Sequence, residues 1–228
     1  MGLGNTMNTY KNTVIRTAAT LAMTCAALAV SSMSGIAGER YASLDAGHPN
    51  ARAVYAAVGD ITRAPIGWVE FCVEYKSECA TRRSTPRDIV LTSKTWSDLV
   101  KVNAWVNDSI KAVTDVEHWG VVERWSLGED GYGDCEDYAL LKRRMLMQAG
   151  WPREALLMTV VRDKKGDGHA VLTVKTNRGE FILDNQETQI LAWNKTGYRF
   201  VKRQAQSDQN AWVALGEPRG APATVSAR

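Results

Sequence analysis

Between Ser93 and Val113 the apolar residues are Trp96, Leu99, Val100, Val102, Trp105, Val106, Ile110 and Val113. Their spacings of three and four predict an amphipathic helix with Thr92 or Ser93 as its N-cap. A second helix is predicted over Asp134 to Gly150. Leu140, Leu141, Met145 and Leu146 form its apolar stripe, and Lys142, Arg143 and Arg144 its wet face. Gly150 and then Trp151-Pro152 stop it. A shorter helix is expected near Ala51–Val58, in a lead-in segment of residues 38–63. Ala64 to Ala80 carries Pro65, Gly67 and Trp68, Thr81 to Asp88 reads as a solvated loop, and Asp115 to Asp130 has little periodicity.

After Pro152 the period changes. Ala155–Val161, Ala170–Lys175 and Glu180–Leu183 are short β-type runs. The turn sequences Asp163-Lys164-Lys165-Gly166-Asp167-Gly168 and Asn177-Arg178-Gly179 separate them. Phe200–Lys202 and Ala211–Leu215 are further strands. Helices first and antiparallel strands afterwards predict an α+β fold. The last residues, 217–228, are rich in Pro, Gly and Ala and read as a loose tail.

The first 37 residues have the order of a secretory signal peptide. Lys11 and Arg16 give a positive start, Thr17 to Val30 is an apolar run too short to span a bilayer, and no acid precedes Glu39. Gly35 and Ala37 stand at the −3 and −1 positions of a cleavage site after Ala37; a buried N-terminal helix is the alternative. Export of residues 38–216 as one domain, to the periplasm, is therefore expected. Of the 28 Lys and Arg, two lie in the leader, which leaves 26 against 25 Asp and Glu. That balance excludes a nucleic-acid or polybasic membrane footprint.

Of the four cysteines, Cys25 leaves with the leader. An odd remainder in an exported chain points to one disulfide and a free thiol, or to an intermolecular bridge. Cys72 and Cys79 enclose a short loop and form the natural pair, which leaves Cys135.

Cys135 lies in Glu129-Asp130-Gly131-Tyr132-Gly133-Asp134-Cys135-Glu136-Asp137-Tyr138, where two glycines end a loop and a helix starts. Unpaired N–H groups and the dipole at a helix start favour a thiolate. Asp130, Asp134, Glu136 and Asp137 oppose it, because nearby negative charge raises a thiol pKa. Capping explains Asp134 taken alone. The whole cluster suits a hard cation such as Ca2+, although its spacing is not that of an EF-hand. A cysteine nucleophile needs a base and a group to orient it. His169 opens a strand and Asp184 ends the next. A hairpin turn at Thr176-Asn177 sets Asp184 opposite His169, whereas a turn at Asn177-Arg178 sets it opposite Val171, on the same face. Both registers allow an Nδ1–carboxylate contact. His48 and His118 lack such a setting. Trp119, Trp125 and Tyr132 are candidate cleft aromatics, with core packing the plainer role for the tryptophans.

These motifs together resemble the bacterial transglutaminase-like cysteine peptidases: Gly131 to Ala139 is similar to the family's nucleophile motif, Gly168 to Leu172 to its histidine strand, and Leu183-Asp184-Asn185 to its aspartate strand. The likeness runs from about Pro65 to Leu215. It implies a papain-like fold in which a helix carrying Cys135 packs on a sheet carrying His169 and Asp184. It implies a cysteine endopeptidase acting through an acyl-thioester, and Ca2+ held at Asp134, Glu136 and Asp137. It also implies a surface adhesin as substrate, a role in biofilm attachment, and an inner-membrane receptor as regulator. A transglutaminase or other acyltransferase on the same triad, and a non-catalytic Ca2+-binding module, are the alternatives.

Overall fold

The computed structural model describes residues 54–81 and 85–216; the expected leader, the lead-in up to residue 53 and the tail 217–228 lie outside them. The chain runs β1 (Val58–Thr62), α1 (Ile66–Glu74), α2 (Ser93–Ser109), β2 (Lys111–Ala112), α3 (Asp115–Trp119), β3 (Tyr132–Gly133) and α4 (Cys135–Gln148). It continues through β4 (Leu156–Arg162), β5 (Gly168–Thr176), β6 (Gly179–Leu183), β7 (Leu191–Ala192), β8 (Arg199–Gln204) and β9 (Trp212–Leu215). Seven strands form one antiparallel sheet in the order β1-β9-β8-β4-β5-β6-β7. The α+β expectation holds.

The sheet is covered on both faces, which is why its central strands are apolar with little alternation. Leu156, Met158, Leu172 and Val174 join one cluster with Trp68, Leu99, Trp125, Leu140, Leu146 and Trp212. Val161, Val171 and Ile182 join a second with Trp193, Phe200 and Leu215. In the first, the rings of Trp68, Trp125 and Trp212 meet edge to face, with centroids 6.3–6.4 Å apart.

Several expectations are corrected. The helix expected near Ala51–Val58 is not formed over its described part: Val58 begins β1, which pairs with β9 and brings the start of the domain against its end. Helix α1 is short and has no side-chain cap at Pro65, so it lacks the usual start signal. Helix α2 stops at Ser109 rather than Val113. Ile110 turns extended there, and Lys111–Ala112 pairs in parallel with Tyr132–Gly133. The expected wet face of α4 is largely buried. Lys142 and Arg143 are 0 % and 1 % exposed, because α4 is packed by α2 on one side and the sheet on another. Arg143 donates to the Leu156 carbonyl at 3.2 Å and to Gln209 Oε1 at 2.6 Å. The loop before α2 is tethered at Arg87, which meets Glu154 at 3.3 Å.

Cys72 and Cys79 are bonded, with their Cα atoms 5.4 Å apart, and Cys135 is the free cysteine among the described residues. The short loop is pinned to the sheet side by Arg153 on the Glu78 carbonyl and Asn210 on the Cys79 carbonyl. Gly67 is the position where α1 is closest to the core: a Cβ there would lie 2.3 Å from the Trp125 ring. Gly67→Ala should therefore cost about 1–3 kcal/mol of stability by overpacking, read as a lower urea midpoint with an unchanged slope.

Candidate active site

The loop that ends at Gly133 is held against α4 by one side chain. Asp137 accepts from the Ser126 N–H at 2.7 Å through Oδ1 and from the Asp134 N–H at 3.0 Å through Oδ2. Gly133 is required for this approach, since a Cβ there would lie 2.5 Å from Asp137 Oδ2. Asp134 occupies the N-cap position and Cys135 the first position of α4. Cys135 Sγ accepts from the Ala170 N–H of β5 at 3.3 Å and donates to Glu136 Oε2 at 3.1 Å. Burial, and then the charge of Glu136, push the Cys135 thiol well above its ordinary range; the Ala170 N–H works against them.

His169 and Asp184 meet beside this thiol. The hairpin takes the Asn177–Arg178 turn, with Thr176 opposite Gly179 and Leu172 opposite Leu183. That register sets Asp184 next to Val171 on the face that also carries His169. His169 Nε2 lies 2.8 Å from Asp184 Oδ1, so the expected Nδ1 contact is corrected to Nε2. The histidine is at the start of β5 and its ring reaches the strand end with its far nitrogen. Nδ1 is then the nitrogen left for a thiol; Gln186 Nε2 stands 3.4 Å from it.

Three partners of Asp184 carry no signal in the sequence pattern. The Tyr198 hydroxyl donates to Oδ2 at 2.6 Å, the Gln186 N–H to Oδ1 at 3.0 Å, and Asn107 Nδ2 to the backbone carbonyl at 2.9 Å. Burial raises the Asp184 carboxyl, but His169, Tyr198 and Gln186 outweigh it and hold it below the usual carboxylate range. Burial and the Asp184 charge push the Tyr198 phenol up. A lone tyrosine beyond the second turn has nothing local to mark it; only the fold brings it here.

The acidic cluster differs in membership from the expected one. Asp130 turns away to His118, whose Nε2 it meets at 2.8 Å. Asp115, at the start of α3, takes its place: carboxylate oxygens of Asp115, Asp134 and Asp137 all lie within 4.8 Å of one another, as do ligand atoms of Asp134, Cys135 and Glu136. Thr114-Asp115 reads as a helix start, which hides the second role. Among the described residues no Lys or Arg forms an ion pair with any of the four acids. Burial pushes Asp137 up to about 7 despite its two N–H partners. Burial, reinforced by Asp134, pushes Glu136 up strongly, and burial raises Asp115. Asp134 Oδ1 is buried without a hydrogen-bond partner. Hard oxygen donors, uncompensated negative charge and one unpartnered oxygen fit a divalent cation. Of the cleft aromatics, Trp125 is core at 3 % exposure, whereas Trp119 (37 %) and Tyr132 (42 %) are exposed.

The sequence profile described as "Bacterial transglutaminase-like cysteine proteinase BTLCP" matches residues 58–220. The chain belongs to this family. It is accordingly a cysteine proteinase, and its helix-on-sheet architecture is the transglutaminase-like form of the papain-like fold. Among solved structures, calcium-bound LapG from Legionella pneumophila is 26% identical over 54% of this chain and 72% of that one, with a TM-score of 0.46. EGTA-treated LapG from the same organism has the same identity and coverage and a TM-score of 0.44. A search of curated proteins finds none that matches.

The raised carboxyls make a pH prediction. An acid whose folded pKa lies above its unfolded value binds more protons when folded, so stability declines as pH rises between the two values. With chelator present, thermal stability should fall between about pH 4 and 7, the window set by Asp137. Asp137→Asn should reduce that slope in melting curves taken across the window, leaving the part that Glu136 and Asp115 contribute.

Proposed function

We propose that this chain is an exported cysteine endopeptidase in which Cys135 is the nucleophile, His169 its base and Asp184 the orienting acid. The observation that carries the reading is the meeting of three separate segments. The start of α4 sets its thiol on the Ala170 N–H, the residue after His169, and His169 in turn holds Asp184 at 2.8 Å. In the proposed reaction the Cys135 proton passes to His169 Nδ1 and sulfur attacks the scissile carbonyl carbon. The N–H groups at the start of α4 receive the developing oxyanion. As the tetrahedral species collapses, the imidazolium gives its proton to the departing amine and an acyl-thioester remains. Water then attacks that carbonyl, its proton taken by His169 and returned to sulfur as the acid leaves. Asp184, fixed by Tyr198 and Gln186, keeps the imidazole in the Nε2–H tautomer throughout.

The thiol has to leave Glu136 for this to happen. Asp115, Asp134, Glu136 and Asp137 would hold a Ca2+ ion, which when bound supplies the positive charge that offsets the acids around Cys135. Residues 1–37 act as the export leader, 38–216 as the proteinase domain and 217–228 as a tail, with the periplasm as destination. No helix among the described residues is long and apolar enough to cross a membrane. An exported or surface protein, such as an adhesin, is the proposed substrate and an inner-membrane receptor the proposed regulator; both rest on the family resemblance.

Cys135→Ala and His169→Ala should each lower cleavage by at least about 10³-fold, with melting temperatures kept. Comparison of exported and surface proteins from wild-type and Cys135→Ala cells should reveal a partner that stays unprocessed in the variant. Full processing in either variant contradicts the triad. Chelation at pH 7 should lower the melting temperature and slow cleavage, added Ca2+ should reverse both, and Asp134→Asn should blunt the response. Indifference of both quantities to chelator makes the acids a solvated cap and no ion site.

A further inference from the structure

In the proposed reaction the Gln186 backbone fixes Asp184, and the Gln186 side chain has no task. His169 and Asp184 are each 3 % exposed, whereas Gln186, two residues past Asp184, is a surface residue. Its carboxamide nonetheless reaches inward, and Nε2 stands 3.4 Å from His169 Nδ1. The Asp184 contact keeps the imidazole proton on Nε2, so Nδ1 is an acceptor and the amide donates to it. The backbone is held on both sides of this residue. The Gln186 N–H donates to Asp184 Oδ1 at 3.0 Å, Asn107 to the Asp184 carbonyl at 2.9 Å, and Asn103 to the Thr188 carbonyl at 3.3 Å. These tethers set the Gln186 Cα in place relative to the base and leave its side chain free to turn.

Nδ1 is also the atom that hands a proton to the departing amine. For that transfer the amine nitrogen has to come within about 3 Å of Nδ1. The carbonyl of the residue that begins with this amine lies roughly 3.5 Å farther along an extended chain. A carboxamide already beside Nδ1 therefore stands at the first peptide unit after the scissile bond. It offers that unit an acceptor oxygen and N–H donors, the complement of a peptide N–H and C=O. The amide cannot both cap Nδ1 and leave it open to Cys135. It has to turn away when the thiol comes to the base, and the peptide unit gives it a partner in exchange.

We infer that Gln186 is a substrate-binding residue on the leaving-group side: its carboxamide caps His169 Nδ1 in the free protein and passes to the first peptide unit beyond the scissile bond when substrate is seated. The inference rests on the reading of Cys135 as nucleophile and His169 as base. Its consequence is a preference for amines that carry a peptide unit. Deacylation by an amine is the reverse of leaving-group departure and runs through the same place. The amine nitrogen attacks the thioester carbonyl carbon, its proton passes to Nδ1, the carbon–sulfur bond breaks, and the proton returns to sulfur.

The test uses the whole chain with Ca2+ present, at one fixed pH, acetylated at Cys135 by p-nitrophenyl acetate. Glycinamide and methylamine then compete for the acetyl group; glycinamide carries the peptide unit and methylamine does not. The ratio of N-acetylglycinamide to N-methylacetamide formed should be about fivefold higher in the wild type than in Gln186→Ala, the worth of one neutral hydrogen bond. Both proteins meet the same amines, so the amines' own reactivities cancel in that comparison. A purely structural effect of the substitution lowers both yields together and leaves the ratio alone. Gln186→Met, of similar length but without the amide, should lose the preference too, and it stands in if Gln186→Ala does not fold. A wild-type ratio in Gln186→Met overturns the inference, since the amide then has no part in it. A wild type that is not acetylated at Cys135, or a His169→Ala variant that turns over as fast, defeats the triad reading beneath it. Turnover that depends on His169, with a ratio indifferent to Gln186, defeats the inference alone.

Discussion

Asp137 is a carboxylate that does the work of a backbone. Through its two oxygens it holds the N–H groups of Ser126 and Asp134, and so fastens an irregular loop to the first turn of α4. The loop can come that close only because Gly133 has no side chain in the way. Everything at the site depends on this join. It fixes where α4 starts, and hence where Cys135 sits relative to β5, whose register then places His169 and Asp184. The cost is a buried negative charge, which the two N–H partners offset only in part.

That cost explains the electrostatic character of the site. On the side of the loop, Asp115, Asp134 and Glu136 share the space with Asp137, and the thiol beside them is held in its neutral form. On the side of the sheet, Asp184 is stabilised as an anion by a phenol, an imidazole and a backbone N–H. Asp115, Glu136 and Asp137 are thus driven toward protonation, and Asp184 toward charge. Such separation is what a site needs when one acid must stay ionised to orient a base. It also leaves the thiol turned to Glu136, with Gln186 against the histidine nitrogen that the thiol would use.

The parts of this arrangement legible in the sequence are those with local signals. The α4 start is marked by Gly131, Gly133 and Asp134, the β5–β6 turn by Asn177-Arg178-Gly179, and the chemistry by an unpaired cysteine. Tyr198, Asn107 and Asp115 reach the site from segments whose local patterns say other things, so only tertiary packing reveals them. The same logic sets Lys142 on the wet face of α4, where the fold instead buries it. Hydrophobic periodicity sorts apolar from polar positions and does not distinguish a polar residue in water from one that the packing encloses. The early strand β1 escaped because its residues are mostly exposed and its partner, β9, lies at the other end of the domain.

The central claim is that α4 and β5 bring together a thiol and an imidazole that act as one unit. Intact-protein and peptide mass spectrometry after treatment with a peptidyl epoxide tests it directly, because that reagent needs both a nucleophilic sulfur and a proton donor beside it. The account predicts a single adduct, mapped to Cys135, that forms in the wild type and is lost in His169→Ala while the Cys72–Cys79 bond stays intact. An adduct that forms equally fast without His169, or none at Cys135 in the folded wild-type protein, would contradict it.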